Sequence, residues 1–269
     1  MRTLLICHHD APLHSDGIAR WMASWSALAG TLVVREPRRL LWRRVRREVR
    51  RVGVHGLLDV MAFRGYYRAT QASADGRWRD EQLERLRRRY PELPHGTPSL
   101  MVDSPNSAES QRFIEGHRPD LVIALCKNIL AERIFSIPPI GTFVLHPGIC
   151  PEYRNAHGCF WALAERDLLN VGLTLLRIDR GIDTGPIFGQ FRISFDEVRE
   201  SHRVIQDRAL LDNLDALQDR LLEIAAGHAT PVPTAGRASA EWGQPRLTRY
   251  LRWKYEARRR IAASPTSGR

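Results

Sequence analysis

Short apolar runs alternate with amphipathic stretches along most of the chain. Residues 3–7 and 31–34 have the pattern of buried strands, and residues 17–29 between them have helical spacing of Ile18, Trp21 and Met22. Runs of this kind are typical of an α/β fold, Rossmann-like, with a mostly parallel sheet flanked by helices. The same pattern predicts further strands at residues 100–102, 121–126, 142–145, 172–178 and 187–195.

Two charged regions interrupt or follow this alternation. Residues 37–52 and 78–90 have helical patterns, residues 72–76 are predicted as a loop, and nine arginines lie between Arg35 and Arg51. The arginine-rich face fits an anion-binding or membrane-surface helix, and it equally fits a solvated helical face. We therefore expect a domain over residues 1–200 with a helical insertion or elaborated crossover at 35–95. A C-terminal extension over residues 201–269 follows, with one long helix at 201–226 and a basic helical tail.

The charge balance favours anionic partners without choosing among them. Lys and Arg number 41 against 30 acidic residues, a formal net charge of +11. Nucleotides, phosphorylated sugars, polyglutamated cofactors, nucleic acid and membrane surfaces all fit, as does the arginine usage of a GC-rich genome. The aromatic residues of the basic tail favour a closing helix over nucleic-acid contact. No G-x-G-x-x-G or G-x-x-x-x-G-K-[ST] occurs, which argues against a standard dinucleotide site or P-loop.

The cysteines and the apolar runs indicate in which cellular compartment the protein is expected. The four cysteines form no C-x-x-C pair, and most lie in or beside apolar runs, which predicts free thiols in a reducing compartment. No run approaches the roughly 18–20 apolar residues of a membrane span. The apolar segment near the start of the chain is too short for the hydrophobic region of a signal peptide. We expect a soluble, cytoplasmic protein.

Two polar loops carry the candidate chemistry. His146-Pro147-Gly148 follows the apolar run 142–145, and Gly181-Ile182-Asp183-Thr184-Gly185-Pro186 follows the run 173–178. Ligands collect at the carboxyl ends of strands in open α/β sheets. A histidine and an aspartate on two such loops could form an acid/base pair for attack by an amine on a carbonyl carbon. From spacing alone, a histidine after a strand is more often a structural residue, and an aspartate before Thr-Gly-Pro is commonly a turn former.

The order of these motifs resembles the formyltransferase family that uses 10-formyltetrahydrofolate. The resemblance covers about residues 121–190: His-Pro-Gly-x-x-Pro-x-Tyr-Arg, a helix, and then a strand leading to Asp-x-Gly-Ile-Asp-Thr-Gly-Pro. It implies formyl transfer from 10-formyltetrahydrofolate to a primary amine, with His146 and Asp183 as catalytic residues. It also implies cofactor contacts on two loops, formed by Lys127, Asn128, Ile129, Leu130, Asp179, Arg180, Gly181 and Ile182.

The sequence departs from the family's pattern at the position of one catalytic residue and at nearby positions. The catalytic Asn two residues before the His is Val144 here, and the Gly after Tyr-Arg is Asn155. Loss of one donor to a developing oxyanion typically costs about 2.7–4 kcal/mol. We expect a substitute donor, with Asn128 and Lys127 ahead of Asn155. A slow or inactive site, acting as a binding protein, is the alternative, and so is hydrolysis of the formyl donor or another one-carbon transfer.

The acceptor is predicted to be a small amine, such as an amino sugar. The loop that begins His8-His9-Asp10 lacks the Gly/Ser/Asn residues that hold the phosphate of glycinamide ribonucleotide in the family, and no appended β-barrel typical of methionyl-tRNA formyltransferases is evident after residue 200. We expect acceptor contacts from His8, His9, Asp10, Tyr153 and Arg154. The histidines of this loop match no standard zinc spacing, so we expect no metal site. The sequence leaves open whether the protein forms a homo-oligomer.

Overall fold

The computed structural model of the protein describes residues 1–35 and 39–263, without the side chains of 39–49 and 51. Apolar runs form the strands, which are β1 (Arg2–His8), β2 (Ala27–Val34), β3 (Ser99–Val102), β4 (Leu121–Leu125), β5 (Gly141–Pro147), β6 (Arg154–Asn155), β7 (Gly172–Arg177), β8 (Ile187–Arg192) and β9 (Glu241–Trp242). The helices are α1 (Ala19–Trp25), α2 (Arg39–Thr70), α3 (Ala72–Arg89), α4 (Ala108–His117), α5 (Glu132–Phe135), α6 (Gly158–Ala164), α7 (His202–Leu211), α8 (Leu214–Ala225) and α9 (Leu247–Ala263).

Within the described residues, a seven-stranded sheet has the order β3-β2-β1-β4-β5-β7-β8. The strands from β3 to β5 pair in parallel, and β7 and β8 are antiparallel to their neighbours. The central strand β1 is apolar on both faces because helices cover both. The predicted mostly parallel sheet flanked by helices is confirmed.

Helices on the two sides of the sheet enclose separate cores. On one side, α1, α3, α6, α7, α8 and α9 pack together, with core residues such as Trp21, Phe160 and Leu217. On the other side, α4 and α5 contribute Ile114 and Ile134. Side chains alternate between the two faces of each strand and therefore pack into both cores. These cores hold the strand ends in place.

Helices α2 and α3 connect β2 to β3, where the insertion or crossover was predicted. Helix α2 bends at Gly53, whose φ of 71° lies in the left-handed region. Helix α3 packs against the π-helical turn Leu13–Ile18 and α7, while α2 packs against α9. The structure does not describe residues 37–38, where the predicted helix begins. It also does not describe the side chains of residues 39–49, which include the predicted arginine-rich face.

Three sequence-based boundaries differ from the structure. The predicted loop 72–76 is the first turn of α3. The predicted helix 17–29 ends at Trp25, because Ser26 bonds the carbonyl of Met22 and the chain enters β2. The single helix predicted at 201–226 is two helices, α7 and α8, and the amide of Asn213 between them donates to Ala209 O at 2.9 Å. The division of the chain at residue 200 stays a prediction.

His202 lies in the core among aromatic rings. It is 1% exposed, and rings of Phe63, Tyr67, Phe160 and Tyr250 lie within 6.2 Å of its centroid. Neither ring nitrogen has a hydrogen-bond partner in the described part of the chain. Burial therefore lowers the pKa of His202 well below its ordinary value of 6.5, and nearby cationic groups push it in the same direction.

This burial predicts an acid-sensitive core. Folded His202 stays neutral while the unfolded chain takes up a proton below pH 6.5, so its contribution to stability is full above pH 6.5 and falls as the pH is lowered. We expect His202→Phe to flatten the pH dependence of the unfolding free energy between pH 6 and pH 4 by about 1.4 kcal/mol per pH unit. Urea unfolding measured across that range tests it. The exposed His95→Phe is the control, and a slope in His202→Phe equal to that of the wild type contradicts the prediction.

Candidate active site

His146 lies at the carboxyl end of β5, next to Asp183. Its side chain is 4% exposed, and Nδ1 lies 3.3 Å from Oδ2 of Asp183. Asp183 has a φ of 51°, and its side chain is 17% exposed. The two loops identified in the sequence therefore meet, and the aspartate is the member of the pair that reaches solvent.

A segment of three residues, Tyr153–Asn155, joins the parts of this site, and we call it the clip. The carbonyl of Tyr153 accepts from Nε2 of His146 at 2.7 Å. Nη1 of Arg154 donates to Ile182 O at 2.8 Å, and the backbone N–H of Asn155 donates to Oδ2 of Asp183 at 2.8 Å. Three consecutive residues thus fix the histidine, the second loop and the aspartate relative to one another.

The clip also determines which nitrogen of His146 carries a proton. A carbonyl oxygen only accepts, so Nε2 must be the protonated nitrogen in the bond to Tyr153. Nδ1 then faces the carboxylate of Asp183, and a hydrogen bond between them requires a further proton on one of the two groups. The pair is therefore built to hold or release one proton between Nδ1 and Oδ2.

Close backbone packing sets the shape of the loop after β5. Gly148 has a φ of 137°, and a Cβ there would lie 2.7 Å from the Cα of Gly158. A Cβ on Gly158 would in turn lie 2.7 Å from the carbonyl oxygens of Pro147 and Tyr153. Because neither position has room for a side chain, the start of α6 can lie directly against the His146 loop.

A second segment, residues 231–243, covers the clip, and we call it the strap. Strand β9 within the strap pairs in parallel with β6 of the clip, and Nε of Arg154 donates to Ser239 Oγ. Nε1 of Trp242 donates to Glu152 O, and its ring stacks on Tyr153 and Trp161 at 5.5 and 4.9 Å. The strap therefore holds the clip from its solvent side.

The position of the family's Asn lies in an apolar cluster. Val144 is on the same face of β5 as His146 and packs with Cys150, Leu176 and Ile187, and with Val232 of the strap. Val232 is tied to this cluster by its N–H, which donates to Ile187 O at 2.6 Å. Apolar groups therefore surround the site where an amide would stand in the family's pattern.

The other predicted donors lie after β4. Ala124 of β4 pairs with Val144, so Lys127 and Asn128 follow at the level of His146. Oδ1 of Asn128 is buried and has no hydrogen-bond partner among the described residues. The side chain of Asn155 is instead occupied, because its Nδ2 donates to Trp242 O at 2.6 Å.

The two loops predicted to hold the cofactor are neighbours. Arg180 donates to both carboxylate oxygens of Glu132, which follows the loop of Lys127, Asn128, Ile129 and Leu130. Leu130 is buried, whereas Ile129 is 57% exposed. In the second loop, which spans Asp179, Arg180, Gly181 and Ile182, the Asp179 carboxylate accepts from Gly181 N and Thr184 Oγ1.

The residues predicted to contact the acceptor occupy different environments. Nε2 of His8 accepts from Lys127 N at 2.9 Å, which ties β1 to the loop after β4. His9 and Asp10 are exposed at the turn that follows. The ring of Tyr153 is buried with its OH on Asp167, and Arg154 belongs to the clip. Contact of these five residues with an acceptor stays a prediction.

His14 and His157 were not recognised from the sequence, and Asn155 was considered only as a substitute donor and not as the backbone partner of Asp183. Asn155 stands at a φ of 74° and His157 at 58°, and both follow Tyr-Arg in a polar stretch before α6. Burial and the charge of Arg203 lower the pKa of His157 to about 3. Burial likewise lowers the pKa of His14 to about 4. The polar stretch before α6 was the available signal for His157.

Metal and membrane features were sought in the same described residues. Residues 1–35 and 39–263 contain no group of three His, Cys, Asp or Glu side chains that could hold a metal ion. No helix in that part of the chain is long and apolar enough to cross a membrane.

The sequence matches the family model described as Formyl transferase over residues 84–221, just over half of the chain. A methionyl-tRNA formyltransferase from Thermotoga maritima is 30% identical over 132 residues. This alignment covers 49% of the chain but only 38% of the Thermotoga protein.

Solved structures support the fold. A phosphoribosylglycinamide formyltransferase from Anaplasma phagocytophilum aligns with a TM-score of 0.55 and 14% identity, covering 91% of this chain and 99% of that one. A sugar N-formyltransferase from a Shewanella species aligns with a TM-score of 0.53 and 16% identity, covering 90% and 76% respectively. At such identities the likeness extends to the fold alone.

The packing of the strap on the clip predicts a local effect of Trp242→Ala. Loss of the two stacked rings and of the bond to Glu152 should lower the unfolding free energy by about 3 kcal/mol. Amide hydrogen exchange in residues 150–156 should speed up, as measured by mass spectrometry. Trp78→Ala, a partly buried tryptophan on α3, is the control and should leave that exchange unchanged. Equal exchange of this segment in the two variants would mean that the strap does not hold the clip.

Proposed function

Because the chain belongs to the formyl transferase family, we propose that it transfers a formyl group from 10-formyltetrahydrofolate to a primary amine of a small acceptor. The 3.3 Å contact between His146 and Asp183 carries the proposal. The transfer breaks the bond from the formyl carbon to the donor nitrogen and forms one to the amine. The amine loses one proton and the departing nitrogen gains one. A buried histidine beside a carboxylate is suited to hold this proton between the two events.

We base the proposed roles of the two side chains on their exposures. Asp183 is the more exposed, so it meets the amine or an ordered water and accepts the proton. His146 stays behind it, anchored by Nε2 to Tyr153 O, and shares the proton through Nδ1. The bond from Asn155 N keeps Oδ2 of Asp183 aimed at the ring, so that the proton moves over a short, fixed distance.

The loops at residues 127–130 and 179–182 fit a bound pterin. They lie side by side through the Arg180–Glu132 ion pair, with Ile129 exposed and an unpaired buried amide oxygen on Asn128. An apolar face next to a few polar groups that lack protein partners is the usual lining of a small-molecule site. When bound there, 10-formyltetrahydrofolate supplies the formyl carbon, while the chain supplies orientation and proton transfer.

Asn128 and Lys127 are the groups that we assign to the carbonyl oxygen. Val144 has no donor, and the amide of Asn155 is committed to the strap. Asn128 and Lys127 follow the strand next to β5, at the level of His146. A donor there stabilises the negative charge that develops on the oxygen during attack.

A second candidate function is that of a folate-binding protein with a slow or inactive site. The apolar surroundings of Val144 and the engagement of both ring nitrogens of His146 with protein groups favour it. Such a protein would bind the folate donor but would release no tetrahydrofolate.

An assay of tetrahydrofolate release distinguishes these functions. Purified protein is incubated with 10-formyltetrahydrofolate in the presence and absence of a panel of primary amines. We expect amine-dependent release, and a fall in kcat of about 10²-fold or more in His146→Gln and in Asp183→Asn, because each removes a partner in proton transfer. Asn213→Ala, far from the site between α7 and α8, is the control with unchanged turnover.

The remaining outcomes each identify another activity. Release in water alone that no amine accelerates would make the protein a hydrolase of the donor. Folate binding without release would support the inactive candidate. Full activity in both His146→Gln and Asp183→Asn would contradict the assigned site.

The replacement donor has its own test. We expect Asn128→Ala to lower kcat by about 10²–10³-fold with little change in KM, the usual effect of losing an oxyanion donor. Lys127→Ala should lower kcat as well if both groups share the role. The matched Asn213→Ala controls for a general effect of removing an amide. Wild-type turnover in both Asn128→Ala and Lys127→Ala would exclude a substitute donor after β4.

A further inference from the structure

Two contacting helices, α2 and α9, carry more than half of the large apolar side chains that are exposed in the described part of the chain. Both helices bury their opposite faces, where the rings of Phe63 and Tyr250 lie 5.2 Å apart. Six of the eleven exposed residues are on these two helices. They are Val54, Leu58 and Met61 on α2, and Leu251, Tyr255 and Ile261 on α9.

Most of these side chains form one stripe on each helix. Val54, Leu58 and Met61 are spaced by four and three residues, so they lie on one face of α2 after its bend, and each is more than half exposed. On α9, Leu251 and Tyr255 are one turn apart, and Tyr255 is more than half exposed. Single exposed apolar residues are ordinary, whereas a continuous exposed stripe indicates a contact surface.

A pair of hydrogen bonds joins the two stripes. The carboxylate of Asp59 on α2 accepts from the backbone N–H of Thr248 at 3.0 Å and from its hydroxyl at 2.5 Å, at the start of α9. Leu58 directly precedes Asp59, and Leu251 lies one turn after Thr248 on the same side of α9. The two stripes therefore adjoin at this junction. We call them together the apolar face, which consists of Val54, Leu58, Met61, Leu251 and Tyr255.

Arginines continue both stripes of the apolar face. Arg68 lies two turns after Met61 on the same side of α2, and Arg258 lies one turn after Tyr255 on α9. The guanidinium of Arg259 lies 5.8 Å from the centroid of the Tyr255 ring. These three arginines are exposed and have no carboxylate partner among the described residues. The apolar face thus has a cationic margin that the described chain does not neutralise.

The arginine-rich first part of α2 leads to the same face. Nine arginines lie between Arg35 and Arg51, and the backbone is helical from Arg39 up to the bend at Gly53, directly before the apolar face. Arg50, just before the bend, is exposed. A membrane-surface helix was one of the interpretations of this segment from its sequence. The apolar face supplies the exposed apolar side chains that such a surface needs beside its charges.

We propose that the apolar face of α2 and α9 docks on an anionic lipid membrane surface. Aliphatic side chains gain free energy when they leave water for the boundary of the acyl chains, and arginines at the margin pair with acidic headgroups. The formal net charge of +11 attracts the whole chain to the same surface. The contact is peripheral, because the side chains enter the interface while both helices stay packed on the protein.

The combination of charge and apolar surface favours lipid over two other occupants. A second copy of the chain on this face would bring the unpaired arginines of both copies together, and like charges repel. Nucleic acid would match the arginines, but it offers a hydrophilic backbone to Val54, Leu58 and Met61. An anionic membrane meets both the cationic margin and the aliphatic side chains.

Vesicle flotation of the full chain tests the proposal, and it is independent of formyl transfer because no formyl donor is present. We expect flotation with vesicles of equal parts phosphatidylcholine and phosphatidylserine, and affinity at least about tenfold lower for phosphatidylcholine alone. Leu58→Gln combined with Met61→Gln should weaken binding to the mixed vesicles at least about tenfold, because a polar amide does not enter the acyl boundary. Leu222→Gln combined with Met101→Gln, at exposed residues of α8 and β3, is the matched control and should bind as the wild type does.

The arginines at the margin have a separate arm of the test. Arg68→Gln combined with Arg258→Gln should weaken binding to the mixed vesicles about tenfold or more and leave the affinity for phosphatidylcholine unchanged. Arg112→Gln, at an exposed arginine on α4, is the control. Near-ultraviolet circular dichroism checks that each variant is folded.

Three results would overturn the proposal. The first is no flotation of the wild type with the mixed vesicles. The second is flotation that Leu58→Gln with Met61→Gln retains in full, since the arginines would then bind anions without the apolar face. The third is a dimer in analytical ultracentrifugation that Leu58→Gln with Met61→Gln dissociates while no vesicle binding occurs, which would assign the face to a second copy of the chain.

Discussion

The site depends on the clip, the three residues that join His146 to Asp183. Tyr153 accepts from the histidine, Arg154 binds the carbonyl of Ile182, and Asn155 donates to the aspartate. His146 and Asp183 come from antiparallel neighbouring strands, and their loops could separate without this link. Because two of the three bonds use backbone atoms of the clip, the geometry depends on the path of the chain more than on the side chains at residues 153 and 155.

The strap explains why the clip keeps that path. Its strand β9 pairs with β6, and Trp242 stacks on rings from the clip and from α6. The same strap places Val232 against Val144. The strap therefore both supports the clip and contributes to the apolar surroundings of Val144. A replacement donor is for this reason expected on the other side of the site, in the loop after β4.

The sequence predicted the parts of the site that follow from local pattern. Apolar runs located the strands, and the motifs around His146 and Asp183 identified two loops that meet, although β7 runs antiparallel to β5. The clip and strap could not be predicted, because Arg154 and Ser239 are 85 residues apart and meet through a two-residue strand pair too short to leave a periodic signal. The break between α7 and α8 escaped because Leu210, Leu214 and Leu217 keep helical spacing across it.

The claim that the clip fixes the protonation of His146 can be measured directly. Nitrogen-15 NMR of the histidine side chains distinguishes a protonated ring nitrogen from a bare one, and His146→Gln assigns the signal. The account predicts a proton on Nε2 of His146, hydrogen-bonded to the carbonyl of Tyr153, with Nδ1 as the nitrogen that responds to Asp183→Asn. A bare Nε2 with the proton resident on Nδ1 would contradict it.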